Sequence, residues 1–302
     1  TSRRTATATR RDLAPDRGAP YDAAAVAPRP TTIAELLATY DGVLLDAYGV
    51  LVDARGPLPG AAALIAELNR RGVPYAIVTN DASRSVGTYV ERFARFGLAI
   101  TGERIVTSGS LLPAYFRDHR LAGARTCVLG TDDSIAFVVE GGGIPVEVAP
   151  GMDIDAVAIC DDAGTPFLEG IELTFSAIVR AVEAGRRPAL VVPNPDLVYP
   201  KGEGEFGFTA GAMALLVETA LARRFPDAGL VFDRLGKPAP HLFREGARRL
   251  GVERIVMIGD QLETDIAGAV GAGIDAAHLA GVSRWAERGT IVPTYLLAAL
   301  TP

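Results

Sequence analysis

The chain has 302 residues, longer than most single compact domains, which favours a core domain carrying a second domain or a large insertion. Hydrophobic residues make up 49% and charged residues 22%, a balance that excludes disorder of the whole chain and allows a sizeable buried core. Thirty basic residues against thirty-six acidic ones leave a formal charge of -6, with no broad basic field for a phosphate backbone, so nucleic acid is not an expected partner.

Residues 1–30 are rich in Thr, Ala, Arg and Pro without helical or strand periodicity, and read as a flexible N-terminal tail. Their Arg-rich, Ser/Thr-rich start also fits a transit peptide, against which Asp12 and Asp16 count. No apolar h-region follows the arginines, and no apolar run reaches the roughly 18 residues that cross a bilayer, so no membrane partner and a cytoplasmic location are expected. From Thr31, TTIAELLATY predicts a short capped helix, and GVLLD a buried parallel strand ending on Asp46. A helix over AAALIAELNRRG (61–72), a strand over YAIVTND (75–81) and an amphipathic helix over RSVGTYVERFARFG (84–97) follow, closed by Gly97.

This βαβα rhythm continues through RIVTSGS (104–110) and into ARTCVLG, DAVAIC and RPALVVPN, strands separated by helices at about 132–140 and 170–184. GGGIP (141–145), PGMD (150–153) and PKGEGEFG (200–207) read as long turns. The rhythm resumes with GLVFD, RIVMIGD (254–260) and GIDAAHL (273–279). In such α/β sheets ligands gather outside the carboxyl ends of the strands, so polar residues there carry most information.

Four constellations lie at such ends. LLDAYGVLVD (44–53) ends a buried strand on a carboxylate placed to attack, with Gly49 where the backbone can turn sharply. VTND (78–81) sets a hydroxyl and an amide where they could bind an oxyanion, GKPAPHLF (236–243) fixes Lys237 between Gly and Pro before a helix, and MIGDQLETDI (257–266) sets Asp260 and Asp265 as oxygen ligands for a hard divalent cation. Each alone also fits a helix cap or a turn; for Lys237 the plain alternative is a solvated side chain.

Other residues read as structural. Cys127 and Cys160, each inside an apolar run, read as buried thiols. His119, His241 and His278 are too scattered for a cluster, and Trp285 reads as packing. GEGEFGFTAGA (202–212) lacks the Lys and Ser/Thr of a P-loop and reads as the return to the core.

In this order, from about residue 41 to 283, the four constellations resemble the motifs of the haloacid dehalogenase (HAD) superfamily. The long middle segment, TND, NPDLVYP (194–200) and GKP are similar to its class IIA branch, with the NagD-like and p-nitrophenylphosphatase-like enzymes. The resemblance implies an α/β protein: a doubly wound parallel-sheet core (31–119 and 231–302) with an inserted α/β cap (120–230). It implies a Mg²⁺-dependent phosphatase of a small phosphorylated metabolite, a sugar phosphate or nucleotide, in which Asp46 attacks phosphorus. Mg²⁺ would be held by Asp46, the backbone carbonyl of Tyr48 and Asp260, with Asp265 ordering its outer shell. Thr79 and Asn80 would grip the phosphoryl oxygens, with Asp81 beside them, while Lys237 offsets negative charge. The cap would move over the site about a hinge near NPDLVYP, and could also carry a homodimer contact.

The sequence departs from that family at Tyr48, where such phosphatases carry a second Asp that protonates the leaving group and then activates water. A phenol, with an ordinary pKa near about 10, is a poor base at neutral pH. DAYG is also similar to the first motif of 2-haloacid dehalogenases, which lack the acidic metal loop and the class IIA insertion present here. Three readings follow: a phosphatase; a hydrolase for good leaving groups such as acyl phosphates or halides; and a phosphate-ligand binding protein with weak turnover. Asp81 is a candidate substitute acid that also fits a surface cap.

Overall fold

Thr32 opens the first helix through a capping box, its hydroxyl accepting from the Glu35 N–H while the Glu35 carboxylate accepts from the Thr32 N–H. In this computed structural model, which describes residues 27–202, 205–281 and 289–301, that helix (α1, Ile33–Thr39) follows strand β1 (Arg29–Thr31). Next come β2 (Gly42–Leu45), α2 (Ala61–Arg71), β3 (Tyr75–Thr79), α3 (Val86–Arg95), β4 (Ile105–Thr107) and α4 (Leu112–Asp118). The middle of the chain forms β5 (Arg125–Leu129), α5 (Asp132–Glu140), β6 (Ile144–Val146), β7 (Ala156–Ile159), α6 (Phe167–Glu183) and β8 (Ala189–Val192). After it come β9 (Val198–Gly202), β10 (Glu205–Phe208), α7 (Ala210–Arg224), β11 (Asp233–Arg234) and α8 (His241–Leu250). The chain closes with β12 (Ile255–Gly259), α9 (Ala267–Gly271), β13 (Asp275–Leu279) and β14 (Tyr295–Leu297).

The main sheet has seven strands in the order β1-β14-β13-β12-β2-β3-β4, all neighbours parallel. Its central strands β2 and β12 are apolar throughout because both faces are covered. Val43, Leu45 and Ile77 pack with Leu36, Leu64, Leu68 and Phe93 of α1 to α3, while Leu44, Ala76 and Val78 pack with Leu242 and Phe243 of α8. The strand order reverses between β2 and β12, and this switch point, at the carboxyl ends, is where a doubly wound sheet opens a crevice.

A second parallel sheet, β11-β8-β7-β5-β6, is separate from the first. One face carries Leu129, Val157, Ile159 and Val192 against Ile171, Ile178, Met213 and Val217 of α6 and α7. The other carries Val128, Ala158 and Val191 against Phe137 and Val138 of α5 and Leu112 and Phe116 of α4.

Several elements differ from the sequence reading. Arg29 and Pro30, expected as the end of a tail, form β1 with Thr31 and pair with β14, an edge pairing that needs no apolar alternation. PKGEGEFG, expected as a turn, contributes to an antiparallel hairpin, β9 with β10, whose exposed faces hide any periodicity. GEGEFGFTAGA does not return the chain to the core, because it leads into α7 of the second sheet; the return follows Arg234. GLVFD pairs as a strand only at Asp233, although Leu230 and Phe232 are buried. Residues 1–26 and Trp285 lie outside the described residues.

Candidate active site

The register Leu45 to Ile258 brings the ends of β2 and β12 together, and Asp46 N–H donates to Ile258 O at 3.1 Å. Asp46 and Asp260 therefore leave adjacent strands at the switch point. Asp265 reaches the same place because a π-type turn (Leu262–Ile266) follows β12 and points its carboxylate back, where Oδ2 accepts from the N–H groups of Asp260 (3.2 Å) and Gln261 (3.1 Å). All three acids are buried, and one oxygen of each lies within 4.8 Å of the others. Gly49 makes the approach possible: its φ is +93°, and a Cβ there would stand 2.3 Å from Asp260 Oδ2.

Lys237, only 3% exposed, donates from Nζ to Asp46 Oδ1 at 2.7 Å and to Asp265 Oδ1 at 2.6 Å. Burial disfavours its charge, but Asp265 and Asp46 outweigh burial and hold the ammonium above its ordinary range. Burial pushes Asp46 well above the usual carboxylate range; Lys237 opposes this, while Asp265 and Asp260 reinforce it. With all four groups ionised, two negative charges remain in a buried, oxygen-only donor set, the chemistry that a hard divalent cation satisfies.

Thr79 is buried at the end of β3, the strand beside β2. Asn80 sits next to it, but its amide faces the main chain of Lys237: Oδ1 accepts from Lys237 N–H at 2.6 Å, and Nδ2 donates to Lys237 O at 3.0 Å. Gly236 permits this contact, since a Cβ there would lie 2.6 Å from Asn80 Oδ1. Asp81 turns away from the cluster. Its carboxylate accepts from Ser83 N–H and Oγ, from Arg84 at 2.6 Å and from Tyr89 hydroxyl at 2.8 Å, the hydrogen bonding of a turn before α3.

Tyr48 lines a cavity of about 770 Å³ that opens beside Asp260 and is closed on one side by Pro200 and Lys201 of the β9–β10 hairpin. Asp53 and Arg55 also line it. His278, read as structural, is buried with its Nε2 3.3 Å from the Asp260 carbonyl. One contact escaped the sequence reading: Asp196 Oδ1 accepts from Asn80 Nδ2 at 2.9 Å. NPD did stand out in the sequence, but nothing in it told which residue the Asp would face. His119 stacks on Tyr115, and Cys127 and Cys160 are free buried thiols held above their ordinary range by burial.

Known proteins resemble this chain in sequence and in fold. A family profile described as haloacid dehalogenase-like hydrolase matches residues 43–144, and one described as HAD-hydrolase-like matches residues 234–301. Chronophin of Mus musculus is 31% identical over 245 residues, which cover 79% of this chain and 80% of that protein. A solved possible sugar phosphatase of Cytophaga hutchinsonii superposes with a TM-score of 0.79 at 28% identity, over 91% of this chain and 99% of that one. Glycerol phosphate phosphatase of Mycobacterium tuberculosis in complex with magnesium superposes with a TM-score of 0.72 at 28% identity, over 88% and 76%. Among the described residues no helix is long and apolar enough to cross a membrane. Two profiles framing one acidic switch point, and a relative matched over most of its length, make this chain a HAD-superfamily hydrolase of class IIA.

Proposed function

We propose that the chain hydrolyses a small phosphomonoester, a sugar phosphate or nucleotide, through a phosphoryl group carried on Asp46. The observation that carries the reading is the buried contact of Asp46 with Lys237 beside Asp260 and Asp265. Asp46, the Tyr48 carbonyl and Asp260 would hold Mg²⁺, which supplies charge neutralisation at the phosphoryl oxygens, and Asp265 would orient that set. The magnesium complex of the M. tuberculosis enzyme supports the choice of cation.

Asp46 Oδ attacks phosphorus as the ester P–O bond breaks, and water then displaces Asp46 from phosphorus, releasing orthophosphate. Thr79, buried at the end of β3, would bind a phosphoryl oxygen, and Lys237 would offset the charge that gathers there. The departing alkoxide must gain a proton, and the residue facing the cavity at the customary acid position is Tyr48. This favours a second reading, substrates whose leaving group needs no proton, such as acyl phosphates. Phosphate release from a panel of sugar phosphates, nucleotides, aryl and acyl phosphates, with and without Mg²⁺, tests both: release that ignores Mg²⁺, or none from any compound, contradicts them.

The reading includes a cap of about residues 112–234, since α4 and β11 pack with the second sheet. It also includes a homodimer through that cap: Phe206 and Phe208 are 66% and 61% exposed on a two-stranded sheet whose open edge can pair with itself about a twofold axis.

A further inference from the structure

The chain leaves β8 through Asn194, Pro195 and Asp196, a turn that belongs to the second sheet yet reaches the phosphate site of the first. Asp196 N–H donates to Asn194 Oδ1 at 3.1 Å, Gly211 N–H donates to Asp196 O at 3.1 Å, and Asn194 Nδ2 donates to Thr209 Oγ1 at 3.3 Å. Asn194 and Thr209 are buried, so the turn is held on the start of α7. From this mount Asp196 presents Oδ1 to Asn80 Nδ2 at 2.9 Å.

Asn80 has two amide orientations related by a flip, and three contacts choose between them. Lys237 N–H needs an acceptor and Lys237 O needs a donor, which sets Oδ1 on the first and Nδ2 on the second. Asp196, an acceptor only when ionised, needs that same Nδ2. A flipped amide would set Oδ1 against two other oxygens. The Lys237 main chain so fixed carries the ammonium that meets Asp46 and Asp265.

We propose that Asp196 is a positioning residue for phosphoryl transfer: from the cap it fixes the Asn80 amide, which fixes Lys237 against Asp46. The inference rests on the functional reading above. It makes the docked cap part of the site, with NPD as a fixed point of attachment. Asp196 touches no reacting atom in this account, so its loss slows the chemical step more than it weakens substrate binding.

The test uses the full chain with Mg²⁺, an aryl phosphate as substrate, and Asp196→Ala, Asp196→Asn and Asn80→Ala. Asp196→Ala is expected to lower kcat by about tenfold to a hundredfold, the cost of a small misplacement, with KM changed less than about threefold. Asp196→Asn, whose Oδ1 still accepts from Asn80, is expected to recover most of that loss. The double variant Asp196→Ala/Asn80→Ala is expected to be no slower than Asn80→Ala, because both act through one contact. Full additivity, an Asn variant as slow as the Ala variant, or an unchanged kcat overturns the proposal. Calorimetric titration with orthovanadate, which takes up the five-coordinate geometry of the transferring phosphoryl group, reads it without turnover: Asp196→Ala weakens binding and Asp196→Asn restores it, even if the wild type releases no phosphate and the functional reading fails. If Asp196→Ala does not fold, the Asp196→Asn chain decides: kcat within about threefold of wild type supports the proposal, and a larger loss overturns it.

Discussion

Asp46 is buried between a cation that favours its charge and two carboxylates that oppose it, so Lys237 holds together a set of groups that otherwise repel. Removing the cation alone exposes this. Lys237→Met leaves Asp46 and Asp265 without their shared donor, and a broken buried pair costs about 3–5 kcal/mol of stability; the loss, read by urea unfolding, is expected to shrink when Mg²⁺ is added. Tyr48→Asp is the complementary gain. If leaving-group protonation limits turnover, it raises kcat on alkyl phosphates by at least about tenfold, roughly 1.4 kcal/mol, and less on aryl phosphates; an unchanged rate on a fast wild type means another group supplies the proton. Asp46, Lys237, Asp260 and Asp265 were legible because strand ends and Gly/Pro punctuation mark them. The direction of the Asn80 amide was not legible: an Asn beside a Thr fits an oxyanion site, but the meeting of its amide with the Lys237 backbone depends on contacts 157 residues apart in sequence, whereas the local turn contacts of Asp81 match its reading as a cap.

Among the elements, buried parallel strands were legible as apolar runs and amphipathic helices by their period, which is why β2, β3, β7, β8 and β12 were anticipated. The β9–β10 hairpin was not, because its strands expose Val198, Tyr199, Phe206 and Phe208 and contain glycines that mimic turns. Helix α4 docks on the second sheet through Phe116, which is fully buried. Phe116→Ala is expected to cost about 3–5 kcal/mol, measured by denaturant unfolding. At the start of β5, Arg125 binds Asp155, whose carboxyl it holds down to about 2. A lowered acid pKa stabilises the fold above the ordinary value of 3.8 and loses that contribution as pH falls towards about 2. Asp155→Asn is therefore expected to lower the melting temperature at neutral pH and to flatten the acid limb of the profile between those values.

The described residues form two parallel sheets with separate cores besides the β9–β10 hairpin, the two joined where the NPD turn meets Asn80 and where Ser134 and Thr131 bind the carbonyls of Ala82 and Ser83. The dimer proposed through the cap is expected to give twice the chain mass by light scattering, and Phe206→Glu with Phe208→Glu to return the monomer. The order of motifs revealed this architecture, whereas the crossing points did not, since β11 and α4 join the second sheet through tertiary packing that no local pattern records. Every step of the functional account passes through Asp46, and one comparison tests it most directly: phosphate release from an aryl phosphate in saturating Mg²⁺ by the wild type and by Asp46→Asn. Asp46→Asn is expected to lose at least about 10³-fold in rate with the fold intact, as for removal of a nucleophile; release of phosphate by Asp46→Asn at the wild-type rate would contradict the assignment.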